Sequence, residues 1–314
     1  MLDSPLVRAL GPIVLIIALG ATLFRSGFLG RAQLRDIDRL TYWVGVPCLL
    51  FAKIATAPVA GTAALRLSIV LVAATLVTAS LAALAARLGG LSAGARGPFV
   101  QAAFRGNLAF VGLSIVLFGL APQDPARAER LELLAVLSLA PLVLLYNILA
   151  VLTLLIAHHG RGRRAWGRVL GSLLANPLVL SCAAGLAWSA LAPPLPAFAA
   201  AALGAVGQMA LPLALLSLGG SLLSLPLGGE AGRGILAATF KTGLMPAATW
   251  SFGRALALPP EQLRIALVFA ACPTAVLSHV LVGQLGGSRS LAAAAIVAST
   301  ALSVLSLGLV LSFA

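Results

Sequence analysis

The sequence predicts an all-α membrane protein: ten transmembrane helices, two inverted five-helix repeats, with broken helices 4 and 9. Three observations predict it. The composition is too poor in charge for a soluble surface, ten apolar runs have membrane-spanning length, and a set of matches recurs at one constant offset.

Of the 314 residues, 61% are hydrophobic and 9% charged, whereas a soluble domain carries roughly 25% charged residues. So few charges cannot coat a soluble protein of this size, and lipid must serve as solvent. The formal net charge of +13 would suggest nucleic acid in a soluble chain. Here the basic residues sit in short loops between apolar runs and do not alternate with aromatics, so contact with anionic lipid and no nucleic acid is expected. Cys48, Cys182 and Cys272 each lie in an apolar run without a CxxC pair, which implies neither a disulfide framework nor a metal site.

A helix crossing about 30 Å of hydrocarbon needs about 20 mostly apolar residues. Candidate spans cover residues 5–24, 40–57, 65–88, 99–120, 131–157, 169–191, 197–223, 235–256, 263–285 and 291–313. Backbone polar groups in lipid must pair within their own segment, and no period of two is present, so helices are expected rather than a barrel.

The repeat is carried by prolines and glycines. Pro12 and Pro177 are 165 apart, and the same offset pairs Pro47 with Pro212, Gly20 with Gly185, Phe104 with Phe269 and Val111 with Val276. Proline is costly inside helices, so a shared register of prolines is informative. Residues 1–157 then form the first five-helix repeat, 158–168 a basic cytoplasmic linker, and 169–314 the second repeat. Five is odd, so the second repeat enters the membrane from the opposite side, an architecture common among carriers. Arginines concentrate in loops 25–39 and 158–168. Placing those loops in the cytoplasm puts the N- and C-termini outside, in a multi-pass protein expected in an inner (plasma) membrane.

Spans four and nine are irregular at related places. The fourth reads Phe104-Arg105-Gly106-Asn107-Leu108 and the ninth Phe269-Ala270-Ala271-Cys272-Pro273-Thr274-Ala275. At the 165 offset Asn107 falls on Cys272 and Leu108 on Pro273. Paired interruptions point to a carrier's binding site, and half-helix N-termini favour anions; tolerated kinks are the alternative. Arg105, beside the first break, either grips a carboxylate or snorkels to the cytoplasmic interface. His279, six residues after Pro273, either relays a proton or packs as a neutral ring. Asn107, Arg105, Gly106, Cys272, Pro273, Thr274 and His279 are therefore the candidate substrate-binding residues. Lys53 and Lys241, near span ends, read as snorkelling. Carboxylates fall in loops or at span ends, residues 121–132 forming a loop that holds Asp124, Glu129 and Glu132. Motifs of hydrolases and nucleotide enzymes are absent, so no enzyme activity, cofactor or metal is expected.

Gln101-Ala102-Ala103-Phe104-Arg105-Gly106-Asn107, Asn176-Pro177-Leu178, residues 211–222, Cys272-Pro273-Thr274-Ala275 and Ser299-Thr300-Ala301-Leu302-Ser303 resemble the auxin efflux carrier family, with its plant PIN proteins and bacterial members. The resemblance covers nearly the whole chain. It implies a scaffold of helices 1, 2, 6 and 7, transport helices 3–5 and 8–10, and a crossover of helices 4 and 9 with Asn107 and Pro273 at its centre. It also implies an elevator-like motion, a homodimer, and a small organic-acid substrate, malate- or malonate-like in bacterial relatives. This chain lacks the proline that plant members carry in span four. A secondary carrier for a small organic anion is the leading expectation. The alternatives are a sodium-coupled symporter of the bile-acid carrier type and a membrane receptor or scaffold without transport.

Overall fold

Leucine- and alanine-rich runs form helices here because nothing in them offers a competing pattern, and hydrocarbon demands internal backbone pairing. The computed structural model describes residues 5–56, 62–120, 124–159, 171, 174–191, 194–224 and 229–312. Among these the only extended pairing is one isolated bridge, between Gly106 and Thr274. Among the described residues four helices are long and apolar enough to cross a membrane: Ala63–Leu88, Pro125–Leu154, Ala197–Leu223 and Arg289–Ser312. Helix α1 spans Pro5–Arg25, α2 Arg31–Leu40, α3 Val46–Ala55, α4 Thr62–Leu88 and α5 Ala93–Phe104. After a short α6 at Leu113–Ile115 come α7 Pro125–His159, α8 Pro177–Leu191, α9 Ala197–Ser224, α10 Ala231–Thr239 and α11 Met245–Ala255. Helices α12 Pro260–Ala271, α13 Leu277–Leu285 and α14 Arg289–Ser312 are the last among the described residues. Residues 160–168 of the basic linker lie outside the described residues, as do parts of the sixth span.

Two loops of the sequence reading are helical. Residues 31–40 form the amphipathic α2, with the Gln33 side chain accepting the Gly30 N–H at 3.1 Å. Its one buried side chain, Leu34, sits over Gly220, and its carbonyl accepts the Ser217 hydroxyl at 3.3 Å. Residues 125–132 belong to α7, because Asp124 caps the helix by accepting the Ala126 N–H at 3.1 Å and Pro125 takes the first helical position. Hydropathy alone misses both, since capping chemistry sets these ends. Asn176 does the same for α8, accepting from Leu178 and Val179 at 2.9 and 3.3 Å.

Prolines within spans are accommodated individually. Pro47 and Pro246 each stand second in a helix that follows a π-turn, Thr41–Gly45 and Phe240–Leu244 respectively. Pro246 cannot donate to the Thr242 carbonyl, and the Ser306 hydroxyl does so instead at 2.7 Å. Pro98 likewise leaves the Gly94 carbonyl unserved, and the Ser288 N–H fills it at 2.8 Å.

The chain divides into two compact units. The first comprises Met1–Leu65, Ala109–Ala140 and Leu174–Ser224, the second Arg66–Leu108, Pro141–Leu173 and Leu225–Ala314. Of the predicted spans, one, two, seven and the described greater part of six thus fall in the first, three, eight, nine and ten fall in the second apart from Leu65, and four and five pass from one to the other. Within the first unit α1 packs along α9 at glycines: a Cβ on Gly20 would lie 1.9 Å from the Leu216 carbonyl oxygen, and one on Gly219 1.9 Å from that of Ile17. Lipid gives helices no hydrophobic drive to associate, so small residues that bring backbones together carry this contact. Lys53 on α3 pairs with Glu132 on α7 at 2.8 Å, a partner that comes within reach because residues 125–132 are helical.

In the second unit α5 is the central element. Its residues from Gly97 to Phe104 are all buried. Phe99 meets Phe240 edge-on at 6.1 Å, and Phe104 meets Tyr146 at 5.7 Å.

Candidate functional site

Both irregular segments are interrupted, and the interruptions meet within the second unit. Helix α5 ends at Phe104; Arg105 turns extended (φ −76°, ψ 92°), and the next helical residue, Leu108, opens a π-turn that runs to Gly112. Helix α12 ends at Ala271; Cys272 is extended (φ −63°, ψ 153°), and α13 resumes at Leu277. Proline at 273 cannot serve a helical carbonyl, which ends α12 there.

The freed backbone groups pair across the crossing. Asn107 N–H donates to the Pro273 carbonyl at 2.8 Å, and Ala275 N–H to the Arg105 carbonyl at 2.9 Å. Thr274 closes the remainder: its N–H donates to Ser299 Oγ at 3.0 Å and its hydroxyl to the Ala102 carbonyl at 2.8 Å. A span interrupted in apolar surroundings would leave such groups unpaired at about 1–3 kcal/mol each; each interruption here relieves the other.

The helix ends also fall at a different spacing from the one read in the sequence: the capping residues Arg105 and Cys272 are 272 − 105 = 167 apart. The 165 offset holds for the proline pairs, but two residues more separate the breaks, and only the backbone geometry shows where each helix stops.

Of the predicted residues, Arg105, Gly106, Asn107, Cys272, Pro273 and Thr274 come together at the crossing, and all are buried. Arg105 is not within a helix and does not snorkel. It is 4% exposed, and its guanidinium donates to the Tyr146 carbonyl at 3.3 Å and to Asn147 Oδ1 at 3.1 Å. Asn147 is held for this by donating its own Nδ2 to Val143 O at 2.8 Å. His279 stands apart, one turn into α13, with Nδ1 3.3 Å from the Arg289 carbonyl oxygen.

Lys241 is the residue the sequence reading misplaced. It is fully buried, and its ammonium donates to the carbonyl of Ala270 at the end of α12. A Cβ on Gly106 would lie 3.0 Å from both Lys241 Cε and Cys272 Sγ, so glycine at 106 leaves room for the lysine stem and the thiol. The cause is the π-turn before Pro246: Met245 N–H bonds back to Phe240 O, five residues earlier, which re-aims the side chains of that turn. A lysine five residues ahead of a proline inside an apolar span was the available signal.

Gln101, a turn before the break, is 0% exposed, and neither its amide nitrogen nor its amide oxygen has a hydrogen-bond partner among the described residues. Among the described residues the buried charged side chains are Arg105 and Lys241, and no buried Asp or Glu accompanies them. The crossing thus joins two cations, an unsatisfied amide and the opened backbone of two half-helices. Such a place favours a small anion that also accepts or donates hydrogen bonds.

A protein-family model described as membrane transport protein matches residues 5–162 and again 161–311. No curated protein matches the chain.

Proposed function

Because the chain belongs to the membrane transport protein family, that of the auxin efflux carriers, and is a multi-pass membrane transporter rather than an enzyme, we propose that it carries a small organic anion. The observation that carries this reading is the pair of buried cations at a backbone crossing with no buried carboxylate among the described residues. Inserting one such charge at mid-membrane costs about 2.5–3.5 kcal/mol on insertion scales. An anionic ligand offsets that cost, whereas a cationic or neutral apolar one leaves it in place. Gln101 adds an amide able to bind a carboxylate or a hydroxyl.

In this reading the substrate sits beside the crossover of spans four and nine against Asn107, Arg105 and Thr274. The unit holding the crossing is the moving body of an elevator-like cycle, and spans one, two, six and seven form the scaffold. The chain would pass between them at Leu108 in span four and at Pro141 in span five. The arginine-rich loops face the cytoplasm.

The test is uptake by proteoliposomes of the purified chain. A panel of labelled mono- and dicarboxylates is offered with a membrane potential imposed, alongside amino acids and organic cations. Saturable uptake of one or more acids is expected; uptake of cations only, or of no acid in the panel, refutes the proposal.

A further inference from the structure

We infer that Lys241 is a tethered cation: its ammonium fills the monovalent-cation site that the crossover would otherwise present, so this carrier takes no sodium ion there. The functional consequence rests on the reading of the chain as an anion carrier; the cation site does not.

The C-terminal end of a half-helix carries a partial negative charge and carbonyls without intrahelical partners. In carriers with broken helices such ends, together with unwound backbone, are where coupling cations bind. Helix α12 ends in this way at Ala271, buried in the second unit. The Ala270 carbonyl is the acceptor at that end, and the group bound to it is the Lys241 ammonium. The stem of Lys241 runs past Gly106, where an added Cβ would meet Cε at 3.0 Å. The ammonium therefore lies against the extended backbone of one broken helix and the last turn of the other.

Three further facts support the assignment. Lys241 is fully buried, so its charge has no route to the headgroups. No buried carboxylate among the described residues answers it, so the oxygen that stabilises it is a helix-end carbonyl, the kind of ligand sodium would use. Its position is built, not incidental: the π-turn at Phe240–Leu244 aims it, and Ser306 serves the carbonyl that Pro246 cannot. A resident charge of this sort supplies the electrostatic attraction for an anion that a co-transported cation supplies elsewhere. It does so in every state of the cycle and independently of external sodium.

Thermal unfolding of the full chain in detergent tests the site without any substrate. Exchanging choline for sodium is expected to leave the wild-type Tm unchanged. The Lys241→Ala protein is expected to melt lower and to recover by about 5 °C when sodium or ethylammonium is present at a hundredfold excess over its Kd. Ethanol, which fills the same space without charge, is expected to give no recovery, and Lys241→Met is expected to melt below wild type and to ignore both cations. The inference is overturned if sodium raises the wild-type Tm, if Lys241→Met is as stable as wild type, or if ethanol rescues Lys241→Ala as well as ethylammonium does. It is also overturned if an alanine variant recovered in folded form responds to neither cation. If that variant is recovered only in the presence of one of the cations, the site is supported directly. Failure of these outcomes leaves anion uptake by proteoliposomes standing, and failure of uptake leaves the cation site standing.

Discussion

The N–H of Asn107 and the carbonyl of Pro273 face each other at 2.8 Å, so the two interruptions close on one another through backbone alone. The side chain of Asn107 takes no part in that bond. Asn107→Ala is therefore expected to keep the crossing and shift stability by no more than about 1 kcal/mol, while lowering uptake of the transported acid at least about tenfold, equivalent to 1.4 kcal/mol. Parallel melting and uptake curves check it; a variant that transports normally removes the Asn107 side chain from the site.

Arg105 uses a planar fork, with one arm on the Tyr146 carbonyl and another on Asn147 Oδ1. Lysine cannot reproduce that geometry. Arg105→Lys is expected to reduce uptake by about an order of magnitude or more, and Asn147→Ala to reproduce part of the loss. A double-mutant cycle measures the coupling, which is expected at about 0.5–3 kcal/mol for groups in direct contact.

Gly20 and Gly204 make a contrasting pair within the first unit. A Cβ on Gly20 would meet the Leu216 carbonyl oxygen at 1.9 Å, whereas nothing lies within 4 Å of one on Gly204. Gly20→Ala forces two backbones apart and is expected to cost about 1–3 kcal/mol or more. Gly204→Ala, mid-helix and open, is expected to gain about 0.4–1 kcal/mol. Chemical or thermal unfolding of the two variants gives the comparison.

Asp38 on α2 is half-buried, and its carboxyl is raised above the ordinary value of 3.8 by desolvation, with a Ser217 hydrogen bond opposing the rise. The folded chain thus holds this proton more tightly than the unfolded chain. Its contribution to stability is greatest in acid and is lost as pH rises from about 3.8 through the raised folded value, then stays constant. Asp38→Asn is expected to melt higher than wild type at neutral pH and equally with it in acid below that window, as measured by Tm across a pH series.

Pro141 lies in the middle of α7, at the point where the chain passes from the first unit to the second. It leaves the Leu137 carbonyl without its usual donor. Pro141→Ala is expected to maintain or raise Tm while slowing uptake several-fold, because a continuous helix resists the bending that alternating access demands. Equal rates in the two proteins would exclude Pro141 as a hinge.

Much of the fold was legible in sequence because its signals are local. Runs of Leu and Ala identify their own spans, Pro273 ends its own helix, and the Arg105-Gly106-Asn107 stretch falls where α5 stops. Capping was legible too, at Asp124-Pro125, but hydropathy outweighed it, and α7 begins earlier than an apolar count suggests. Arg105 was noticed, but its direction was open, since a span limit does not say whether a side chain points to lipid, water or protein. Lys241 was set aside for the same reason. Gln101 was visible only as part of a family stretch; that its amide is buried and unsatisfied is a property of its surroundings.

By itself the sequence determined that this chain lives in lipid, that it is helical throughout its apolar runs, and where two of those runs break. Hydrocarbon punishes charge and unpaired backbone one segment at a time, and glycine and proline act within a turn of where they stand. Only the tertiary structure decided that the breaks meet, that Asn107 pairs with Pro273, and that the Lys241 ammonium ends at the Ala270 carbonyl. Those contacts join residues 166 and 29 positions apart, and each depends on helix rotation set by packing and by a π-turn, which no local pattern encodes.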